Sequence, residues 1–170
     1  MERNPRGPCG RWHGTYTYDV TSDNPGPLRS VGFELTIEQS TLQRFFGRFR
    51  GTVTDARTEV EQGTGTLRGR VRGSAILFVK RMPIAFVRSD GRTMLLSERV
   101  AELGYPGLPN PKGMPVRYTG RFEDPDRASG VWIVPARHVR VARGVWVRTA
   151  KTTGTWTMLR SAAIAQSGTP

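Results

Sequence analysis

Cysteine, histidine and lysine are scarce in this 170-residue chain: one cysteine, two histidines, and only Lys80, Lys112 and Lys151 as lysines. A single cysteine, Cys9, excludes an internal disulfide and any multi-cysteine metal site. His13 and His138 lie far apart in sequence, on strand faces that read as outward or undetermined, and solvated surface histidines account for both. No metal-ligand spacing occurs, and Gly63-x-Gly65 lacks the strand-then-helix context of a phosphate loop. The acidic pairs Glu59/Glu61 and Asp124/Asp126 fall in or beside turns, where solvated charge explains them without a paired-carboxylate site. Neither a catalytic residue, a metal nor a cofactor is therefore expected. The chain reads as non-enzymatic, although a barrel enzyme stays open as a reading.

Long apolar runs are also missing. None approaches the ~18 residues needed to span a bilayer, so no membrane span is expected. Met1–Gly10 (MERNPRGPCG) has no apolar h-region, which predicts no secretory signal at this end and a cytoplasmic location.

What the chain has in abundance is arginine. The 26 basic residues against 14 acidic ones leave a formal charge of +12. Such a charge favours anionic partners in general. The arginines alternate with small or apolar residues along strands and form no basic block. That spacing fits a solvated outer face, with a nucleic-acid-binding stripe as the alternative.

Alternation is the second abundance. In Gly63–Met82 (GTGTLRGRVRGSAILFVKRM), Gly65, Leu67, Gly69 and Val71 share one face, and Thr64, Thr66, Arg68, Arg70 and Arg72 the other. This is a half-buried strand. Gly73-Ser74 fits a two-residue hairpin turn, which pairs Arg72 with Ala75 and Val71 with Ile76. The inward set of the next strand is then Ile76, Phe78, Lys80 and Met82, and Lys80 falls on an apolar face. An unpaired buried ammonium costs several kcal/mol, so Lys80 must meet a carboxylate, water or an anionic ligand, or reach solvent at a barrel rim. Ala75, Leu77 and Val79 face outward as an apolar strip, to be covered by a helix or to serve as an oligomer contact.

The same pattern recurs along the chain. Trp12, Tyr16 and Tyr18 share a face of the first strand; Phe33, Leu35 and Ile37 of the second; Phe49 and Val53 of the third. Ser22–Pro27 is a turn cluster. Ile84–Val87 and Thr93–Leu96 read as short strands joined at Ser89-Asp90-Gly91. Ser97 reads as the N-cap of a helix to Leu103. Tyr105–Pro115, with four prolines, is a long loop suited to cover a binding site. Tyr118, Gly120 and Phe122 share a face, then Gly130–Val134 follows with Trp132. His138–Arg148 reads as one strand with Arg143-Gly144 as a bulge, and Thr153–Arg160 closes the fold. Nine or ten strands in a meander with one apolar face predict an all-β, antiparallel up-and-down barrel of about eight to ten strands, with one short helix near 97–103. The expected organisation is a leader over 1–9, a single barrel domain over 10–160 and a tail over 161–170.

All four tryptophans occur as Gly-x-Trp, at Trp12, Trp132, Trp146 and Trp156. Glycine two residues before a ring leaves room for a neighbouring strand's ring and permits tight coiling. With Gly10-x-Trp12 on the first strand and Arg160 ending the last, the chain resembles the calycin group, meaning lipocalins, avidins and fatty-acid-binding proteins. GRFRGTV (Gly47–Val53), RYTGRF (Arg117–Phe122) and GTWTMLR (Gly154–Arg160) are avidin-like phrases. The resemblance implies a barrel in which Trp12 and Arg160 stack across the closed end. It names no ligand, since the threonine-aspartate-tyrosine lipocalin motif is missing and avidin's biotin-contacting set does not map.

The leading expectation is a lumen that binds a small amphipathic or anionic apolar ligand. Tyr16, Tyr18, Phe49, Phe78, Tyr118, Phe122 and Trp132 would line it, and Lys80 would be the polar anchor. The alternatives are a barrel packed solid by those rings that docks a protein, and nucleic-acid binding through the arginine faces.

Overall fold

A computed structural model describes residues 8–19, 30–40, 46–56, 63–89 and 92–161. The expected turn at 22–27 and the pair Glu59/Glu61 lie outside these residues. Eight strands form one closed antiparallel barrel: β1 (Gly10–Tyr18), β2 (Ser30–Ser40), β3 (Phe46–Asp55), β4 (Thr64–Arg72), β5 (Ala75–Arg81), β8 (Val116–Asp124), β9 (Arg127–Val134) and β12 (Thr152–Arg160). They follow one another around the barrel in chain order, and β12 pairs with β1 to close it. Closure leaves no exposed sheet edge, the structural reason a chain of short one-faced strands takes this form.

Two excursions interrupt the meander. Between β5 and β8 come β6 (Phe86–Ser89), β7 (Arg92–Leu95) and the helix α1 (Leu96–Glu102); between β9 and β12 comes the hairpin of β10 (Arg137–Ala142) and β11 (Val145–Thr149). Both leave and re-enter the barrel at the same end. The other end carries the Gly73-Ser74 turn, the Pro125-Asp126 turn and the outer termini of β1 and β12.

The β4–β5 pairing has Arg72 opposite Ala75 and Val71 opposite Ile76, around Gly73 at φ +59°. Period two then places Leu67, Ile76, Phe78, Tyr118, Trp132 and Trp156 inside, each no more than 4% exposed. Close packing of these rings needs glycine on the facing strands. A Cβ on Gly120 would lie 2.6 Å from Cζ2 of Trp156, and one on Gly154 would lie 2.6 Å from Nε1 of Trp132. Trp132 instead donates from Nε1 to the Thr17 carbonyl at 2.9 Å. Glycine thus lets broad indoles lie across neighbouring strands in a narrow barrel.

Four local expectations are corrected. His138–Arg148 is a hairpin: Gly144, at φ +77°, turns the chain where a bulge was expected. The irregularity in that pairing falls at Arg140/Ala142. Second, α1 begins at Leu96, so Ser97 is not its N-cap; the Ser97 N–H donates to Asn110 Oδ1 at 2.9 Å, and Glu98 Oε2 accepts from the Leu95 N–H at 2.9 Å. A side chain from the following loop therefore does the work of a local cap. Third, α1 does not blanket the outward strip of β5, where Leu77 stays 37% exposed. Its buried Leu96 and Val100 pack with Ala85 in a small second core, joined by Val139, Val141 and Val147 of the β10–β11 hairpin. Fourth, the expected Ile84–Val87 strand is shifted: β6 starts at Phe86.

Candidate functional site

The end of the barrel opposite the two excursions is sealed. Trp12 is 1% exposed, with Phe122 at 5.9 Å between ring centroids and the Arg160 guanidinium 4.4 Å from its ring centroid. Arg160 also donates to Asp126 Oδ1 at 2.8 Å, to the Cys9 carbonyl at 2.5 Å and to the Pro125 carbonyl at 3.2 Å. Trp12 Nε1 donates to the Pro8 carbonyl at 2.9 Å, which draws the incoming chain across the end. The planar guanidinium both stacks and spends its forked donors on backbone oxygens, as a lysine could not.

The other end holds a cavity of about 450 Å³. Its floor is polar. Lys80 Nζ donates to Asp55 Oδ1 at 2.7 Å and to Oδ2 at 2.5 Å, while the Tyr16 hydroxyl donates to Oδ2 at 3.1 Å. The ammonium also lies 4.7 Å from the Tyr16 ring centroid. The side chains of Lys80 and Asp55 are only 6% and 1% exposed. Lys80 comes from the end of β5, Asp55 from the end of β3 and Tyr16 from near the end of β1. Closure of the sheet brings three strands distant in sequence to one height.

Electrostatics follow from that burial. Desolvation lowers the pKa of Lys80 from its ordinary value of 10.5, and the Asp55 charge and hydrogen bond oppose the fall. Burial is also the main cause raising the Tyr16 and Tyr118 phenols well above 10.0, with the charges of Tyr18 and Asp55 adding to it for both. Two neutral phenols thus flank one ion pair.

Above this floor the wall is mainly apolar. Tyr18, Trp132, Met82, Val116 and Val134 come from the barrel, Phe86, Val87 and Leu103 from the first excursion, and Trp146 and Val147 from the second. The proline-rich segment supplies Gly113 and Met114. That segment is tied down by the Ala85 N–H donating to the Pro111 carbonyl at 2.8 Å and by Asn110 Nδ2 donating to the Ala85 carbonyl at 2.9 Å. Thr149, 5% exposed, bonds both backbone groups of Arg137 at 3.3 Å and holds the hairpin side of the mouth.

Of the residues singled out from sequence, Lys80, Tyr16, Tyr18, Tyr118 and Trp132 meet at this cavity. Phe49, Phe78 and Phe122 do not line it. Phe78 stacks on Tyr118 at 4.5 Å and lies 6.4 Å from Phe49, below the floor, and Phe122 belongs to the sealed end beside Trp12. The lumen is therefore divided: packed with rings toward the Trp12 end and hollow toward the two excursions. Asp55 is the member that sequence reasoning missed. The signal was available, because Phe49, Gly51, Val53 and Asp55 continue a single inward face. With Asp55 in place, Lys80 has its carboxylate inside the chain, and the expected role of neutralising a ligand's acid group is taken.

His13 and His138 are both exposed. Asp124 ends β8 and Asp126 lies in the turn after it, with Asp124 Oδ1 accepting from the Asp126 N–H at 2.8 Å. Among the described residues, no three of His, Cys, Asp and Glu come together as a metal site, and no helix is long and apolar enough to cross a membrane. Comparison of the chain with protein-family models, curated proteins and solved structures finds no match.

Proposed function

We propose that this is a calycin-like binding barrel whose open end takes one small amphipathic molecule, without catalysing a reaction on it. The observation that carries this reading is the cavity of about 450 Å³, mainly apolar along its walls, with a buried polar cluster at its floor and Arg99, Arg148, Thr149 and Thr152 among its other lining residues. Its volume falls within the range of about 300–1,000 Å³ usual for small-ligand sites, and a few convergent polar groups in an apolar cleft are the usual make-up of one. The sealed Trp12–Arg160 end gives the ligand one way in.

The ion pair sharpens the ligand's chemistry. Lys80 spends two of its three N–H donors on Asp55, which leaves one for a ligand oxygen. A second carboxylate beside Asp55 would set two anions against one cation in a poorly solvated site. A neutral head, such as a hydroxyl or amide, fits better than an acid.

Displacement of the neutral fluorescent probe N-phenyl-1-naphthylamine tests this. Saturable binding is expected, with 1-decanol competing better than decanoate. The K80M/D55L variant, which replaces the pair by apolar groups, should weaken 1-decanol by about tenfold, the loss of one charge-assisted hydrogen bond. Absence of saturable binding, or equal competition by 1-decanol in both proteins, would contradict the reading.

A further inference from the structure

We infer that the outer surface of β3, β4, β5 and β8 binds the phosphodiester backbone of double-stranded nucleic acid, independently of base sequence and of the lumen. Outward residues do not pack the barrel, so their identity is free to serve something else. On β1 and β12 they form neutral, hydrogen-bonded cross-strand pairs: Thr15 with Thr157 at 3.3 Å and Thr17 with Thr155 at 2.7 Å. On β3 and β4 the corresponding positions put arginine directly opposite arginine, Arg48 with Arg70 and Arg50 with Arg68. Like charges facing each other across strands destabilise a sheet.

The registers extend this cluster. Arg68 continues through Val79 to Arg117, and Arg72 through Ala75 to Arg121. All seven of these barrel arginines outside β5, and Arg81 on it, make no ion pair with a described acidic residue, and Arg48, Arg50, Arg68, Arg70, Arg72, Arg117 and Arg121 are all exposed. Strands β4 and β5 contain no acidic residue at all. The nearest acid along β8, Glu123, is taken by Arg127 at 3.0 Å. Among the described residues the face is therefore an uncompensated cationic sheet.

Its shape selects among polyanions. Arginine's planar fork matches phosphate oxygens, and the exposed hydroxyls of Thr54, Thr64, Thr66 and Thr119 beside it are further phosphate donors. The β4 and β8 arginine columns stand two strand spacings apart, roughly 10 Å, which is between the widths of the two duplex grooves. Single strands need exposed rings for bases to stack on. The one exposed ring here, Phe46 at 59%, already lies under the Arg72 guanidinium at 5.7 Å. A bilayer would need apolar side chains standing above the charges, whereas Val79 lies between Arg68 and Arg117 and Leu77 beside Arg70.

The test uses the full chain and a fluorescently labelled 20-base-pair DNA duplex of mixed sequence, with anisotropy read across a salt series. Contact with about five phosphates predicts a slope of log K against log salt near −4.5, or about 500-fold weaker binding at 200 mM than at 50 mM salt. R50Q/R68Q should make the slope shallower by about 2, and R48Q/R70Q likewise. Both variants should melt at or above the wild-type temperature, because each removes an opposed like-charge pair. R137Q/R140Q removes the same charge from the hairpin outside the barrel and should leave the slope unchanged. The inference is overturned by a slope equally reduced in R137Q/R140Q, by tighter binding to the single strand than to the duplex, or by tighter binding to phosphatidylserine vesicles than to the duplex at equal salt.

Discussion

The two ends of the barrel each bring one basic side chain to aromatic residues, and they handle it in opposite ways. Arg160 stacks on Trp12 with its side chain 13% exposed, its partner Asp126 is 68% exposed, and its other donors go to backbone carbonyls. Its charge never leaves water fully, so nothing at that end depends on a buried carboxylate. Lys80 is withdrawn from water with Asp55, and the space above the pair is left unfilled by protein. A fold that only needed a stable rim could have repeated the first solution. The second carries a desolvation cost that packed apolar residues would avoid.

The largest effects should come from breaking the two ends separately. Asp55→Ala strands a buried ammonium and removes the acceptor of Tyr16, and should cost about 3–5 kcal/mol in urea unfolding. K80M/D55L should restore wild-type stability or exceed it, since the pair is replaced together. Trp12→Ala should cost a similar ~3–5 kcal/mol, from a cavity in a solid region, yet leave the cavity at the other end intact. If K80M/D55L were as unstable as Asp55→Ala, the pair would be a stabilising element and the contrast between the ends would fail.

A smaller effect is expected from pH. Tyr16 and Tyr118 have folded pKa values raised above their unfolded value, so the stability from keeping them protonated is fully present below pH 10 and is lost as pH rises above it. The depressed Lys80 works the other way: stability rises with pH from its folded value up to 10.5. Above pH 10.5 only the tyrosines remain, and unfolding free energy should fall by up to about 2.7 kcal/mol per pH unit, two protons' worth. Denaturant melts at pH 10.5, 11 and 11.5, with phenolate absorbance followed in parallel, check this. A flat dependence would show that the two phenols ionise in place.

Much of this arrangement is legible in the sequence. The Gly73-Ser74 turn ties register to facing, so Lys80 could be placed inside from a single hairpin. Parity along a strand says in or out, but not how high up the barrel a residue sits. That is why Phe49, Phe78 and Phe122 read as equal to Tyr18 and Trp132, although they fill the packed end. Asp55 was hidden for a different reason. It ends its strand beside a polar loop, where an aspartate looks like turn chemistry, and only closure of β1, β3 and β5 onto one another brings it to Lys80. The cap on α1 was only partly local: Glu98 serves the Leu95 N–H, but Asn110 reaches back from the next segment to the Ser97 N–H. At Gly144, two runs of valine on the same parity made a hairpin look like one strand.

The central claim is that the open end takes a ligand and the sealed end does not. Methionine-methyl NMR separates them directly, because Met82 and Met114 line the cavity while Met158, 1% exposed, packs within the barrel core. On titration with 1-decanol, saturable shifts are expected for Met82 and Met114, with Met158 unmoved. Shifts of Met158 alone, or of none of the three, would contradict the account.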